Sequence, residues 1–267
     1  MTRIVIAGGA GRMGQALITC SRTVPELCIT GVVEAAGHPA LGRDAGTVAG
    51  RDPIGVPVTS ELRAALEQAD VLIDFTLHTT APVNVGIARE LRRAAVIGAT
   101  GLTAEESERL ARASADIPIV WAPNMSLGVN LLFAAVRKAA EVLGRAYSCD
   151  IDETHHVHKK DAPSGTALRL GEKVAEGWNT EFQRLMSHEE GGDTIRPAPG
   201  HIVIHSHREG EVVGDHTVRF DIAGESVAFT HRAFSREAFA MGALKAAAWV
   251  VRQRPRLYDM QDVLGLR

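Results

Sequence analysis

The sequence predicts an α/β protein in two parts: a doubly wound parallel sheet, then a smaller α+β domain built on a mixed, largely open β-sheet. Three observations carry this. Through the first 125 residues short apolar runs alternate with helical stretches, the pattern of strands buried on both faces of a parallel sheet. A glycine-rich turn follows the first run directly. After Pro123 polar residues alternate into the runs, as in a sheet with one wetter face. The 267 residues are 45% hydrophobic and 23% charged, an ordinary balance for folded chain and enough for two modest domains.

Taken in order, Arg3–Ala7, Leu27–Glu34, Val71–Thr76, Ala95–Thr100 and Ile117–Ala122 read as strands. The helices between them are Arg12–Arg22, Glu61–Ala69, Val83–Arg93 and Ala104–Ala115, and Thr103 with Glu106 fits a capping box at the start of the last. Ser126–Leu143 is one long apolar helix. Tyr147–His156, Ile202–His207, Val212–Ile222 and Ser226–Ala233 are strands, and Ser187–Gly200, rich in glycine, proline and charge, is a long loop. Ser235 is placed to cap an alanine-rich helix running to Val251 and packing back on the first part.

Several classes are excluded. A net charge of −3 and a pI near 6.4 argue against a nucleic-acid partner. No apolar run approaches membrane-spanning length. Met1-Thr2-Arg3 leads straight into a strand and leaves no room for a signal peptide, so a cytoplasmic location is expected. Cys20, Cys28 and Cys149 are odd in number and lack CxxC spacing; they suggest buried packing, not a disulfide or a thiolate metal site.

Gly8-Gly9-Ala10-Gly11-Arg12-Met13-Gly14 follows a strand and opens a helix. Residues without Cβ are needed there so that a pyrophosphate can approach the backbone and meet the helix N-terminus. Glu34, 20 residues after Gly14 at the end of the second strand, is the acid expected to bond the adenosine ribose. The strand, glycine turn, helix and acid together make the first domain Rossmann-type. Glu34 would repel a 2′-phosphate and Ala35 offers no cation, which favours NADH; Arg12 could reach that phosphate, which leaves NADPH open.

The densest chemistry is Glu153-Thr154-His155-His156-Val157-His158-Lys159-Lys160-Asp161-Ala162-Pro163-Ser164-Gly165-Thr166-Ala167. Pro163 suits the first turn of a helix. Gly165 and Thr166 would then present free N–H groups beside Lys159 and Lys160, a site for a carboxylate. His155 or Lys159 can supply a proton. Two other readings stand beside this one: solvated loop histidines, and a metal held by His156 and His158. The adjacent lysines repel a dication, so no metal is expected.

These segments resemble the 4-hydroxy-tetrahydrodipicolinate reductase (dihydrodipicolinate reductase) family. The carriers are Ala7–Gly14, Asp74–Thr76, Gly98–Gly101, Ala122–Asn130, Glu153–Ala167 and His231–Ala243, spread over nearly the whole chain. The resemblance implies NAD(P)H-dependent reduction of 4-hydroxy-tetrahydrodipicolinate in diaminopimelate and lysine biosynthesis. It implies a dinucleotide-binding domain of residues 1–125 with 236–267, and a substrate-binding and oligomerisation domain of 126–235 that builds a homotetramer. It implies His155 as proton donor or acceptor and Lys159 as proton donor. His156, Gly165 and Thr166, with Lys160 or Arg236, would hold the dicarboxylate substrate. Gly98, Ala99, Thr100, Ala122, Pro123, Asn124 and Met125 would meet the nicotinamide end. Ala99 stands where the family often has threonine, Met125 where it has an aromatic residue, and Leu77 where some members carry an arginine. A metal-dependent hydrolase and a non-catalytic dinucleotide sensor are the competing classes; a sensor needs no proton donor.

Overall fold

Alternate residues of β1 (Thr2–Ala7) bury on opposite sides of one parallel sheet: Ile4 and Ile6 join one apolar cluster, Val5 and Ala7 another. The same division recurs in its neighbours, which is why their sequences read as unbroken apolar runs. The computed structural model describes residues 1–190 and 197–266. It divides into two compact units, Met1–Leu127 with Arg236–Arg267, and Gly128–Ser235.

The first unit runs β1, α1 (Arg12–Ser21), β2 (Leu27–Val33), α2 (Ala45–Val48), β3 (Val58–Thr59), α3 (Leu62–Glu67), β4 (Val71–Asp74), α4 (Ala81–Glu90), β5 (Ala94–Ile97), α5 (Ala104–Ala113) and β6 (Pro118–Trp121). Its strands are all parallel, in the order β12-β6-β5-β4-β1-β2-β3, with β12 (Arg256–Tyr258) added from the C-terminal segment. The chain moves from β1 towards β3 and then resumes on the other side of β1 at β4. The crevice beyond the carboxyl ends of β1 and β4 is therefore the topological switch point, where open α/β sheets bind ligands.

The second unit contains α6 (Leu127–Leu143), β7 (Ser148–His155), α7 (Gly165–Gly177), β8 (Met186–Glu190), β9 (Ile202–Arg208), β10 (Gly214–Ile222) and β11 (Glu225–Ala233). Its sheet has the order β11-β10-β7-β9-β8 and is mixed: β7, β9 and β8 are parallel, while β10 is antiparallel to β7 and β11. One face carries Cys149, Ile151, Ile202, Ile204, Val218 and Phe220 against α6 and α7. The other face is polar; there Asp150 meets Arg219 at 2.9 Å and His205 at 3.3 Å. α8 (Glu237–Val250) returns to the first unit, with α9 (Met260–Leu264) behind it. Gly242 lets α8 approach closely, because a Cβ there would overlap the Met125 carbonyl oxygen.

The Thr103–Glu106 capping box forms as expected. Other expectations need correction. Ser187–Glu190, expected in a loop, belongs to β8; its charged residues suit an edge strand, which pairs along one side only. Residues 191–196 of that expected loop lie outside the described residues. Strands β3 and β12 and helix α2 are absent from the sequence reading, since two to four residues make no periodic signal. Asp44 holds α2 in place by accepting from the amides of Gly46, Thr47, Ile54 and Gly55. The N-cap position of α8 is Arg236 and not Ser235. Pro163 lies one residue before the cap of α7, because the Ser164 hydroxyl takes that role by accepting from Ala167 N at 3.1 Å. Cys20 and Cys149 are buried, but Cys28 is exposed; β3 covers β2 only at Val32 and Val33, so the other end of β2 is an open edge.

A methyl group at Gly14 would overlap Gly8 O and the Gly9 backbone, which cannot yield, whereas nothing lies within 4 Å of the Cβ position of helical Gly86. Gly14→Ala is expected to destabilise the first unit by about 1–3 kcal/mol. Gly86→Ala is expected to stabilise it by about 0.4–1 kcal/mol. Urea unfolding checks both; shifts of the same sign would contradict the packing described.

Candidate active site

The glycine turn sits at the switch point. Gly8, at φ 76°, donates to Val33 O at 2.9 Å, and Gly11, the N-cap of α1, donates to Gly8 O at 3.1 Å. Gly14 packs in the first turn of α1 directly against this backbone. The Glu34 carboxylate accepts from Ala10 N at 2.9 Å and from Ala35 N at 3.2 Å, so the acid and the turn are tied together. A cavity of about 490 Å³ opens here. Gly8, Gly11, Glu34, Ser60, Thr76 and Asn84 are among its lining residues, and none of the lining residues is a lysine, arginine or histidine. Asp74 shapes one wall from inside. Its Oδ1 accepts from Thr76 N at 2.8 Å and Thr76 Oγ1 at 2.7 Å, and its Oδ2 accepts from Asn84 Nδ2 at 2.8 Å. Burial raises the Asp74 carboxyl above its ordinary range against the pull of those bonds.

In the second unit, the helix-facing side of the sheet changes character along the strands. Cys149 and Ile151 of β7 are followed on the same face by Glu153 and His155. The register puts Glu153 between Ser206 of β9 and His216 of β10, and His155 beside Arg208. Glu153 has no exposed surface. Its Oε1 accepts from Ser164 N and Ser206 Oγ, each at 2.8 Å, and Arg208 Nη1 lies 3.6 Å away. Its Oε2 lies 2.9 Å from His155 Nδ1 and 4.0 Å from His216 Nε2. Burial would raise this carboxyl, but His155, Ser164 and Ser206 outweigh burial and hold it well below the usual carboxylate range. Burial, then the neighbouring His155, lowers His216 to about 3; the two rings meet edge-on at 5.1 Å.

Past His155 the chain turns, with Lys159 N donating to His156 O at 3.1 Å. Lys159 Nζ reaches both oxygens of Asp161 at 2.8 Å. Arg208 straps the turn by donating to the carbonyl oxygens of Lys159 and Asp161. Ser164 then caps α7, so Gly165 and Thr166 are its first two residues, where helix amides and dipole favour an anion. One unit thus holds a dinucleotide-type crevice. The other holds a cluster that can exchange protons and bind carboxylates.

Comparison with known proteins assigns both halves to one family. The family models described as dihydrodipicolinate reductase, N-terminus and C-terminus, match residues 2–125 and 128–264. This chain belongs to the dihydrodipicolinate reductase family. It is 48% identical to 4-hydroxy-tetrahydrodipicolinate reductase of Anaeromyxobacter dehalogenans (strain 2CP-C), covering 100% of this chain and 99% of that one. It is 43% identical to the enzyme of the same name from Syntrophus aciditrophicus (strain SB), covering 100% of both. A solved structure of dipicolinate-bound dihydrodipicolinate reductase from Paenisporosarcina sp. TG-14 superposes with a TM-score of 0.77 at 23% identity, over 98% of each chain; that likeness is one of fold.

Within this chain, His155, His156, Lys159, Gly165 and Thr166 gather at the end of β7 and the start of α7. Lys160 is exposed and makes no hydrogen bond or ion pair among the described residues. Gly98–Thr100 follow β5 and Ala122–Met125 follow β6, at the same edge of the sheet as the glycine turn but outside the lining of the cavity. Arg236 belongs to the first unit, and its electrostatic neighbour is Arg12 of the glycine turn. Burial, then Arg12, lowers its pKa.

Sequence reasoning missed Glu153, Ser206 and His216 as site members, and Thr76 and Asn84 as cavity walls. The signal for Glu153 was its parity with Cys149 and Ile151. Among the described residues, Glu153, His155 and His216 are the group that could gather around a metal, their ligand atoms lying within 4.8 Å of one another. It is not the His156–His158 pair; His158 turns instead to Glu211 at 3.2 Å.

His216 stays neutral in the folded chain down to about 3, while an unfolded histidine takes a proton below about 6.5. The unfolded state therefore binds more protons in that window, and stability falls as pH is lowered through it. Hydrogen exchange of the β7 and β10 amides is expected to show an opening free energy that drops by up to about 1.4 kcal/mol per pH unit for this proton. His216→Asn is expected to flatten the slope; an unchanged slope would mean His216 is not the group responsible.

Proposed function

We propose that this chain reduces 4-hydroxy-tetrahydrodipicolinate to tetrahydrodipicolinate, with loss of water, in diaminopimelate and lysine biosynthesis. The observation that carries the reading is the convergence of His155, the Lys159 turn and the first amides of α7 around one buried carboxylate. The nicotinamide dinucleotide, when bound, supplies the hydride. The crevice fits such a group: the glycine turn lies flat against the start of α1, and a Cβ at Gly14 would fill the space the turn needs.

Gly8–Gly14 with Arg12 hold the pyrophosphate in this reading, Glu34 the ribose, Gly98–Thr100 with Ala122–Met125 the nicotinamide end, and Arg236 aids the dicarboxylate. A carboxylate in the cavity wall and the absence of a cation from the lining support NADH over NADPH. Gly165 and Thr166 amides bind one substrate carboxylate, with His156 and Lys160 towards the other. Lys159 donates a proton to the ring nitrogen as charge develops there, and His155 holds or returns a proton beside it. Asp161 keeps the Lys159 ammonium in place until substrate arrives. The open polar face of the second sheet, where Thr217 and Thr230 meet at 3.0 Å, supports a homotetramer formed through these sheets, and the enzyme is cytoplasmic.

The test is nucleotide oxidation with substrate made in place by the preceding synthase from pyruvate and aspartate semialdehyde. Turnover that depends on the synthase, with kcat/KM higher for NADH, is expected. Binding of nucleotide without turnover would overturn the substrate assignment, and a higher kcat/KM for NADPH would overturn the cofactor preference. Lys159→Ala is expected to cut kcat by about 10²–10⁴-fold with little change in nucleotide affinity; a loss of only a few-fold would remove Lys159 from the proton-transfer role.

A further inference from the structure

We propose that Glu153 is the positioning residue of this site: its carboxylate fixes the His155 ring and the first turn of α7 in relation to each other. The proposal rests on the reading of His155 as the proton-handling group. A carboxylate with no exposed surface must find partners inside the protein, and those of Glu153 divide by oxygen. Oε1 accepts from the backbone of Ser164, the cap of α7, and from the Ser206 hydroxyl, each at 2.8 Å. Oε2 is left to His155, 2.9 Å from Nδ1. Neither of those two atoms yet has an aligned hydrogen bond, a looseness common before substrate tightens a catalytic site.

A carboxylate can only accept, so this approach sets the tautomer: Nδ1 carries hydrogen and Nε2 is the working nitrogen. The other side of the ring agrees. Gly214 lies beside Nε2, where even a Cβ would come within 3.1 Å of Nε2 and 3.4 Å of Cδ2. His216, edge-on to His155, and Arg208, 3.6 Å from Oε1, also face the carboxylate, and Asp161, paired with Lys159, feels its charge.

Glu153→Gln separates positioning from mere packing. The two donors at Oε1 retain the amide oxygen there, which turns the amide NH₂ towards Nδ1 and favours the opposite tautomer. We expect kcat to fall by about 10²–10⁴-fold, the range for a misoriented or wrongly tautomeric general acid or base, with the Kd for NADH unchanged within about twofold. Glu153→Asp, which keeps the charge, should recover at least about tenfold of the loss. Histidine ¹⁵N shifts should show neutral His155 protonated at Nδ1 in the wild type and at Nε2 in Glu153→Gln. A kcat within about threefold of wild type, or a wild-type ring protonated at Nε2, would overturn the proposal. So would stoichiometric zinc in the purified enzyme that Glu153→Gln loses. The ¹⁵N measurement needs neither turnover nor the variant, so it decides the proposal even if the variant does not fold. A wild type that shows the Nδ1 tautomer but no synthase-dependent turnover would sink the functional reading and leave the Glu153–His155 link standing.

Discussion

A carboxylate sealed from water organises the second unit. Glu153 sits where the apolar face of the sheet ends, and everything polar nearby is there to answer its charge: an amide, a hydroxyl, an imidazole and, slightly farther, a guanidinium. Because one of those donors is the capping residue of α7, the first amides of that helix are tied to the strand that carries His155. Burial of Glu153 is tolerable only with these partners in place, so the local fold and the candidate chemistry depend on the same few atoms.

The strands build this by keeping their period while changing residue type. Along β7 the helix-facing positions are Cys149, Ile151, Glu153 and His155; along β9 they run from Ile202 and Ile204 to Ser206 and Arg208; and β10, running the other way, has Phe220 and Val218 and then His216 and Gly214. The first two layers pack under α6 and α7. The next two hold the ionisable groups. The chemistry is thus mounted on strand ends whose other ends are anchored in the core, which limits how far any of these side chains can drift.

Much of this was legible in the sequence. Five of the seven strands of the first sheet announced themselves as apolar runs, and the glycine turn with Glu34 pointed to the crevice without any coordinates. The short edge strands β3 and β12 were not legible, since two or three half-polar residues carry no period. The segment Ser187–Glu190 looked like a loop because charge is what an edge strand displays. Around His155 the ordered motif showed the histidines, the lysines and the helix start, but not Glu153 as the buried group among them. Its role depends on Ser206 and His216, which lie 53 and 63 residues further along and become neighbours only through the strand register. Arg236 shows a related limit: its place at the start of α8, in the first unit, is settled by the fold and not by the motif around it.

The tether between Glu34 and the glycine turn has a consequence for the entropy of binding. A free glutamate side chain has several rotamers to lose, at a cost approaching about 2 kcal/mol when it is immobilised. Here Ala10 N and Ala35 N already hold the carboxylate, so that entropy is surrendered on folding and not on binding. A ribose with two free hydroxyls would meet acceptors already aimed at it. The same two bonds fix the course of the backbone on either side, at Ala10 in the turn and at Ala35 after β2. Ordering of the carboxylate and ordering of the glycine turn are thereby one event.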